Sequence, residues 1–230
     1  MIRSGLRPIL AIGMFCGCAQ ALAETPRDLL TQASFFDRDL ASAQRHVESA
    51  AQGAIAILQR TPQNSEAALM RATAIGYDAK LTGSRSQAIA ARTAFETLIA
   101  REPQNAEAQL ALGAWHVGVV FKLGRFLGRA ALGAQKSVGL AALDRAVALG
   151  GNRALFAGLS ALLRLELDPS DPRGVQLAEL ASREATPTPL DRIMQRSAVA
   201  ILTPLRAHDG RATKLAAAQL LPFGQVGGVP

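Results

Sequence analysis

The sequence predicts an all-α chain, an antiparallel stack of helix hairpins, and three observations carry that expectation. Hydrophobic residues make up 49% of the 230 residues while aromatics make up only 4%, so the core must be built mainly from Leu, Ala, Val and Ile. Ala loses no side-chain entropy in a helix and lets helices approach closely. β-branched residues are scattered and rarely alternate with polar ones, which leaves strands without their period of two. Finally, helix stop and start signals recur along the chain, as set out below in order.

The first segment reads as an address. Arg3 and Arg7 form a cationic start, Pro8 to Ala19 is a short apolar run, and Ala21, Leu22 and Ala23 give the small-x-small pattern that signal peptidase reads. Residues 1–23 are therefore expected to be a signal peptide cleaved after Ala23, which makes the protein exported and periplasmic. The apolar run falls short of the roughly 20 residues that span a bilayer. Cys16 and Cys18 both lie in this leader. Lipidation at Cys18 is the lesser alternative, because the residues before it make a poor lipobox. After ordinary cleavage no cysteine remains, which excludes disulfides, thiolate nucleophiles and Cys-ligated metals.

The formal charge is +7, and it becomes +5 without Arg3 and Arg7. The sequence pI is about 10.4. Such a balance favours anionic partners or surfaces and says nothing about fold. Export argues against nucleic acid as that partner.

In the mature region, Thr25-Pro26 with Asp28 and Thr188-Pro189 with Asp191 each place a Thr cap, a Pro in the first turn and an acid three residues on. Ser84 with Gln87 forms a further capping signal after Gly83, so one helix should end near Leu81 and another begin at Ser84. Asp171-Pro172 gives the same start signal before Arg173 to Glu184, and Arg153 to Leu167 and Leu190 to Leu202 read as amphipathic helices. Residues 222–230 lack periodicity and are expected to be a disordered tail, leaving 24–221 as one helical domain.

The most informative pattern is an internal echo. Pro62, Gln63, Asn64, Ser65, Glu66 and Ala67 are matched by Pro103, Gln104, Asn105, Ala106, Glu107 and Ala108, a displacement of 41 residues. Pro cannot continue the preceding helix, Asn can cap the next, and Glu sits in its first turn against the positive end of the dipole. The run Ala106 to Gly113 resembles the opening of helix A of the tetratricopeptide repeat, with Leu112-Gly113 at its Leu-Gly pair. Ala91, Phe95 and Pro103 resemble the small, aromatic and proline positions of helix B and its exit, and Leu143, Ala146 and Leu149 resemble a further helix B. The resemblance covers residues 41–149. With a family period of about 34, it implies a longer connection in these units, the longest near 117–137. It also implies a solenoid that acts as a non-catalytic scaffold, binding a protein or peptide in a groove lined or underlain by Gln109, Leu112, Trp115 and His116.

The basic segment supports an alternative. No acid occurs between Glu107 and Asp144, while Lys122, Arg125, Arg129 and Lys136 all fall there. On a continuous helix these four would lie within about 60° of one another, well away from an apolar stripe that includes Leu112, His116, Val119, Leu123, Leu127 and Ala130. Such a segment would suit a peripheral membrane or anionic-ligand module. The plainer reading is a solvated face, interrupted by Gly118, Gly124, Gly128 and Gly133.

Nothing points to catalysis, a cofactor or a metal. His46, His116 and His208 are isolated, and no His-Glu-x-x-His occurs. Gly128 to Gly133 is followed by Lys136 two residues too late for a phosphate-binding loop, and Ser160 lacks the second Gly of a nucleophile elbow. The carboxylates are dispersed, and most stand near helix starts.

Overall fold

A computed structural model describes residues 24–228; the leader expected at 1–23, with its Cys18 alternative, lies outside the described residues. Among the described residues there are ten helices and no strand. They are α1 (Pro26–Phe35), α2 (Leu40–Arg60), α3 (Ser65–Thr82), α4 (Arg85–Arg101), α5 (Ala106–Leu132), α6 (Lys136–Leu149), α7 (Ala154–Leu167), α8 (Pro172–Ala181), α9 (Pro189–Arg206) and α10 (Gly210–Leu220). The chain is all-α, as expected.

The boundaries follow the capping chemistry. Thr25 and Thr188 form capping boxes with Asp28 and Asp191. The two echoed asparagines cap α3 and α5: Asn64 accepts from the Ala67 amide at 2.8 Å and Asn105 from the Ala108 amide at 2.9 Å. α3 ends at Gly83, whose φ of 73° is left-handed, and Ser84 caps α4 immediately afterwards. Asp171 accepts from the Arg173 and Gly174 amides to start α8. Each cap satisfies backbone donors that the first turn leaves free.

Each helix from α1 to α9 packs on the next in sequence, and the odd-numbered helices also touch in order, α1 on α3, α3 on α5, α5 on α7 and α7 on α9. The result is a stack of antiparallel helix hairpins with the odd helices side by side in one layer. Its interior has two centres. Leu30, Val47, Leu69, Leu81, Phe95 and Leu98 fill the first, among α1 to α4. Leu143, Leu162, Leu165, Leu177, Met194 and Ile201 fill the second, around an almost wholly buried α7. Gly113 sets the spacing of α5 against α6, since a Cβ there would stand 2.7 Å from Leu143 Cδ2.

Two expectations need correction. The basic stretch is not one continuous helix. Gly124, at φ 76° and ψ 167°, breaks α5, and Gly133, at φ 72°, ends it. Lys136 therefore begins α6 and does not share a helix face with Lys122, Arg125 and Arg129.

The tail is the second correction, because as far as Gly227 it packs against the chain. Phe223 is 3% and Val226 9% exposed, both within the first core centre. The Phe223 amide donates to the Ser34 carbonyl at 2.7 Å, and the Gly227 amide donates to the Arg38 carbonyl at 3.2 Å. Lys80 Nζ donates to the Pro222 carbonyl at 2.8 Å, and the Phe223 ring meets Tyr77 edge-on at 4.8 Å. Two apolar anchors and paired backbone groups order a segment that has no repeating pattern. Since α10 itself packs on α7 and α9, this strap ties the last helix of the stack to the first. Phe223→Ala should destabilise the protein by about 3–5 kcal/mol, the usual cost of emptying a buried aromatic site. Urea unfolding followed by circular dichroism measures it, and a loss below about 1 kcal/mol would mean the strap is not anchored there.

Candidate functional site

The residues expected at a groove are joined to the interior of the stack. On α5, Gln109 and Trp115 are half-buried while Leu112 and His116 are buried. Trp115 Nε1 donates to the Ala88 carbonyl at 2.9 Å, and the Arg92 guanidinium lies over its ring, 5.6 Å from the centroid. The His116 ring meets Trp115 edge-on at 4.9 Å. His116 Nδ1 accepts from the Gln135 amide at 3.2 Å, which places the proton of the neutral ring on Nε2. This pair fastens α5 to α4 and to the turn before α6, so Leu112 and His116 underlie the surface rather than form it.

Burial, helped by the Arg92 charge, pushes the His116 pKa down to about 4. Its ordinary value is near 6.5, so between these limits the unfolded chain binds the proton and the folded chain does not. Stability from this group is complete above about pH 6.5 and falls on acidification towards pH 4, by up to about 3 kcal/mol. His116→Asn should remove that slope. Paired unfolding curves at pH 7 and pH 4.5 test this, and equal pH dependence in both proteins would refute it.

The break at Gly124 creates a more prominent feature. Beyond it the second piece of α5 turns back on the first, with Gly128 so close to Val119 that an added Cβ would stand 3.3 Å from Val119 Cγ1. Two cations of α4 hold its far end: Arg85 Nε donates to the Ala131 carbonyl at 3.1 Å and Arg92 Nη1 to the Leu132 carbonyl at 2.6 Å. Cations on the last carbonyls of a helix also oppose its dipole. What projects is a tip where Phe126 is 81% and Leu127 67% exposed, with Phe121 and Leu123 partly exposed beside them. Lys122, Arg125 and Arg129 are exposed on the same tip, and Arg125 lies over the Phe126 ring at 5.5 Å. Among the described helices α5 alone is long and apolar enough to cross a membrane, but its first part is built into the stack through Leu110, Val117 and Val120.

A row of charges that the sequence reading did not assemble crosses the opposite, N-terminal end of the odd helices. Glu66 of α3 and Glu107 of α5, the two echoed acids, stand next to each other once the hairpins stack. Arg27 of α1 joins them, with Nε on Glu66 Oε1 and Nη2 on Glu66 Oε2 and on Glu107 Oε2, all at 2.7 Å. Arg153, the residue before α7, donates to Glu107 at 3.2 Å and through Nη2 to Asp191 of α9 at 3.1 Å. Burial works against the Asp191 charge, but bonds from Thr188, Arg153 and the Leu155 amide outweigh it and hold the carboxyl below its ordinary pKa. A shallow cavity of about 320 Å³ opens over this row, lined by Ser65, Glu66, Asn105, Glu107, Arg153 and Phe156. Each residue had a visible signal, as a first-turn acid or a cation at a helix start. Their adjacency depends on the stacking. Asp191→Asn should cost about 1–3 kcal/mol in thermal or urea unfolding, because the buried side chain loses the charge to which Arg153, the Thr188 hydroxyl and the Leu155 amide donate; a neutral result would show the row to be ornamental.

No family model, curated protein or solved structure matches this chain. Among the described residues no group of three or more His, Cys, Asp or Glu is placed to hold a metal ion.

Proposed function

We propose that this protein is a non-catalytic helical scaffold that docks on an anionic membrane surface through the tip of α5. The observation that carries the reading is the exposure of Phe126 and Leu127, at 81% and 67%, among Lys122, Arg125 and Arg129. A phenylalanine that exposed loses solvation free energy to no purpose in water, and contiguous apolar residues ringed by cations suit an interface of acyl chains below and phosphates above. Burying the two side chains contributes about 1.5–3 kcal/mol each, and each cation near an anionic surface adds about 1 kcal/mol. Gly124 gives the tip its shape, and the α4 arginines hold its base. Export supports the same reading from the sequence side, through Arg3, Arg7 and the Ala21 to Ala23 pattern.

A second reading, a protein or peptide partner held on a tetratricopeptide-like stack, has its own support. A groove of about 340 Å³ runs between α2, α3 and α4, with Leu58, Ala72, Ile75 and Leu98 on its floor and Arg71 and Arg101 among its lining residues. It would suit an apolar segment with acidic flanks.

Co-sedimentation with vesicles separates the two. Binding to phosphatidylglycerol-containing vesicles should exceed binding to neutral vesicles and fall with added salt. Replacing Lys122, Arg125 and Arg129 by Gln should weaken it about 100-fold, in line with three lost surface cations. Phe126→Ser with Leu127→Ser should weaken it at least about tenfold, while Arg71→Glu with Arg101→Glu should leave it unchanged. Tip variants that bind as the parent does would overturn the membrane reading.

A further inference from the structure

One helix carries exposed apolar surface that neither the stack nor the tip accounts for. α10 packs on α7 and α9 through one face only: Ala216, Ala217 and Leu220 join the second core centre, and Thr213 is buried with them. At about 100° per residue the opposite face carries Arg211, Lys214 and Leu215, and all three are exposed. Leu215 is 60% exposed, and among the described residues only Phe126 and Leu127 of the tip show more of a large apolar side chain to water.

α10 also adjoins the root of the tip. Lys214 Nζ stands 5.4 Å from the centroid of the Phe121 ring, which is partly exposed on the first piece of α5, just before the glycine at which that helix breaks. That separation is a cation–π contact. Leu215 follows Lys214 directly, so an exposed leucine and two cations continue the surface that Phe121 and the tip begin. A lone exposed leucine needs no explanation, but one that continues an apolar patch ringed by cations enlarges the patch. The chemistry matches as well. Leucine can enter acyl chains, while Arg and Lys lay their stems along apolar surface and keep their charges at the level of the phosphates.

We infer that the outward face of α10, with Leu215 as its apolar anchor and Arg211 and Lys214 as its cations, is a second element of contact with the anionic membrane. The inference rests on the membrane reading of the tip and adds an orientation to it. A body attached through one projection is free to pivot about it. α10 is fixed to the stack by its packing on α7 and α9, so its contact forms with little further ordering cost once the tip is in place. Two rigidly joined contacts hold the stack at one tilt.

The chain from Glu24 onward contains every described helix and no cysteine, so single nitroxide labels on Phe126→Cys, Leu215→Cys and Ile55→Cys report local immersion. Power-saturation electron spin resonance, with oxygen and a water-soluble nickel chelate as relaxants, compares each label with and without vesicles of phosphatidylglycerol and phosphatidylcholine. The labels at 126 and 215 should both gain collisions with oxygen and lose collisions with nickel when vesicles are added. The label on α2 at 55 should not change. In co-sedimentation, Leu215→Ser should weaken binding at least about fivefold, and Arg211→Gln with Lys214→Gln about 30-fold. All three side chains face solvent, so these variants should keep the parental circular dichroism spectrum. A label at 126 that enters the bilayer while the one at 215 stays in water overturns this inference and leaves the tip reading standing. Neither label entering overturns both. All three labels entering would mean adsorption without a fixed tilt, and Arg211→Gln with Lys214→Gln binding as the parent does would leave α10 no part in the contact; either result overturns the inference.

Discussion

When helix hairpins of similar sequence stack in register, equivalent residues become neighbours, and here the repeated residue is a glutamate. Glu66 and Glu107 occupy the same place in the two echoed segments, and stacking brings their carboxylates to one guanidinium. Arg27 binds both, and Arg153 takes the second and passes the alternation on to Asp191. Without those two arginines the register that the repeat imposes would be opposed by repulsion between like charges. With them, five side chains at the starts of α1, α3, α5, α7 and α9 form a row that fixes how each odd helix starts beside the last. The remainder of the fold is built on that alignment: α7 in the interior, α5 long enough to project, and α10 placed to send the chain back across the layer.

Much of the architecture was legible in the sequence because helix ends obey local chemistry. Thr25, Asn64, Ser84, Asn105, Asp171 and Thr188 each cap a helix that the residues around them announce. The break in α5 was only half legible. Four glycines marked the segment as weak, but the one that breaks is decided by where the second piece finds room, against Val119 and under the α4 arginines. The strap was invisible, since Phe223 and Val226 have no periodic companions and their backbone bonds go to Ser34 and Arg38, nearly the whole chain away. The charge row fails to show in sequence for a related reason. Its members lie far apart in the chain, and only the packing of helices makes them a group.

The two ends of the odd helices thus differ in character. At their N-terminal ends the charges are paired off among themselves, with the most buried carboxylate, Asp191, fully engaged by Arg153, Thr188 and a backbone amide. At the other end the tip of α5 presents apolar side chains, together with Lys122, Arg125 and Arg129, to water. One end is built for cohesion, and the other keeps unspent charge and unsatisfied apolar surface. That asymmetry is why the membrane-docking proposal falls on the tip and not on the charge row.

The strap has a consequence for how the molecule comes apart. A linear array of repeats contacts only its neighbours, so its terminal units can fray while the middle persists. In this chain Phe223 and Val226 lie among α1, α2 and α3, so the first hairpin and the last helix share one set of contacts. Neither the first hairpin nor the last helix can melt outward without releasing the other, and the stack acquires the all-or-none cooperativity of a ring.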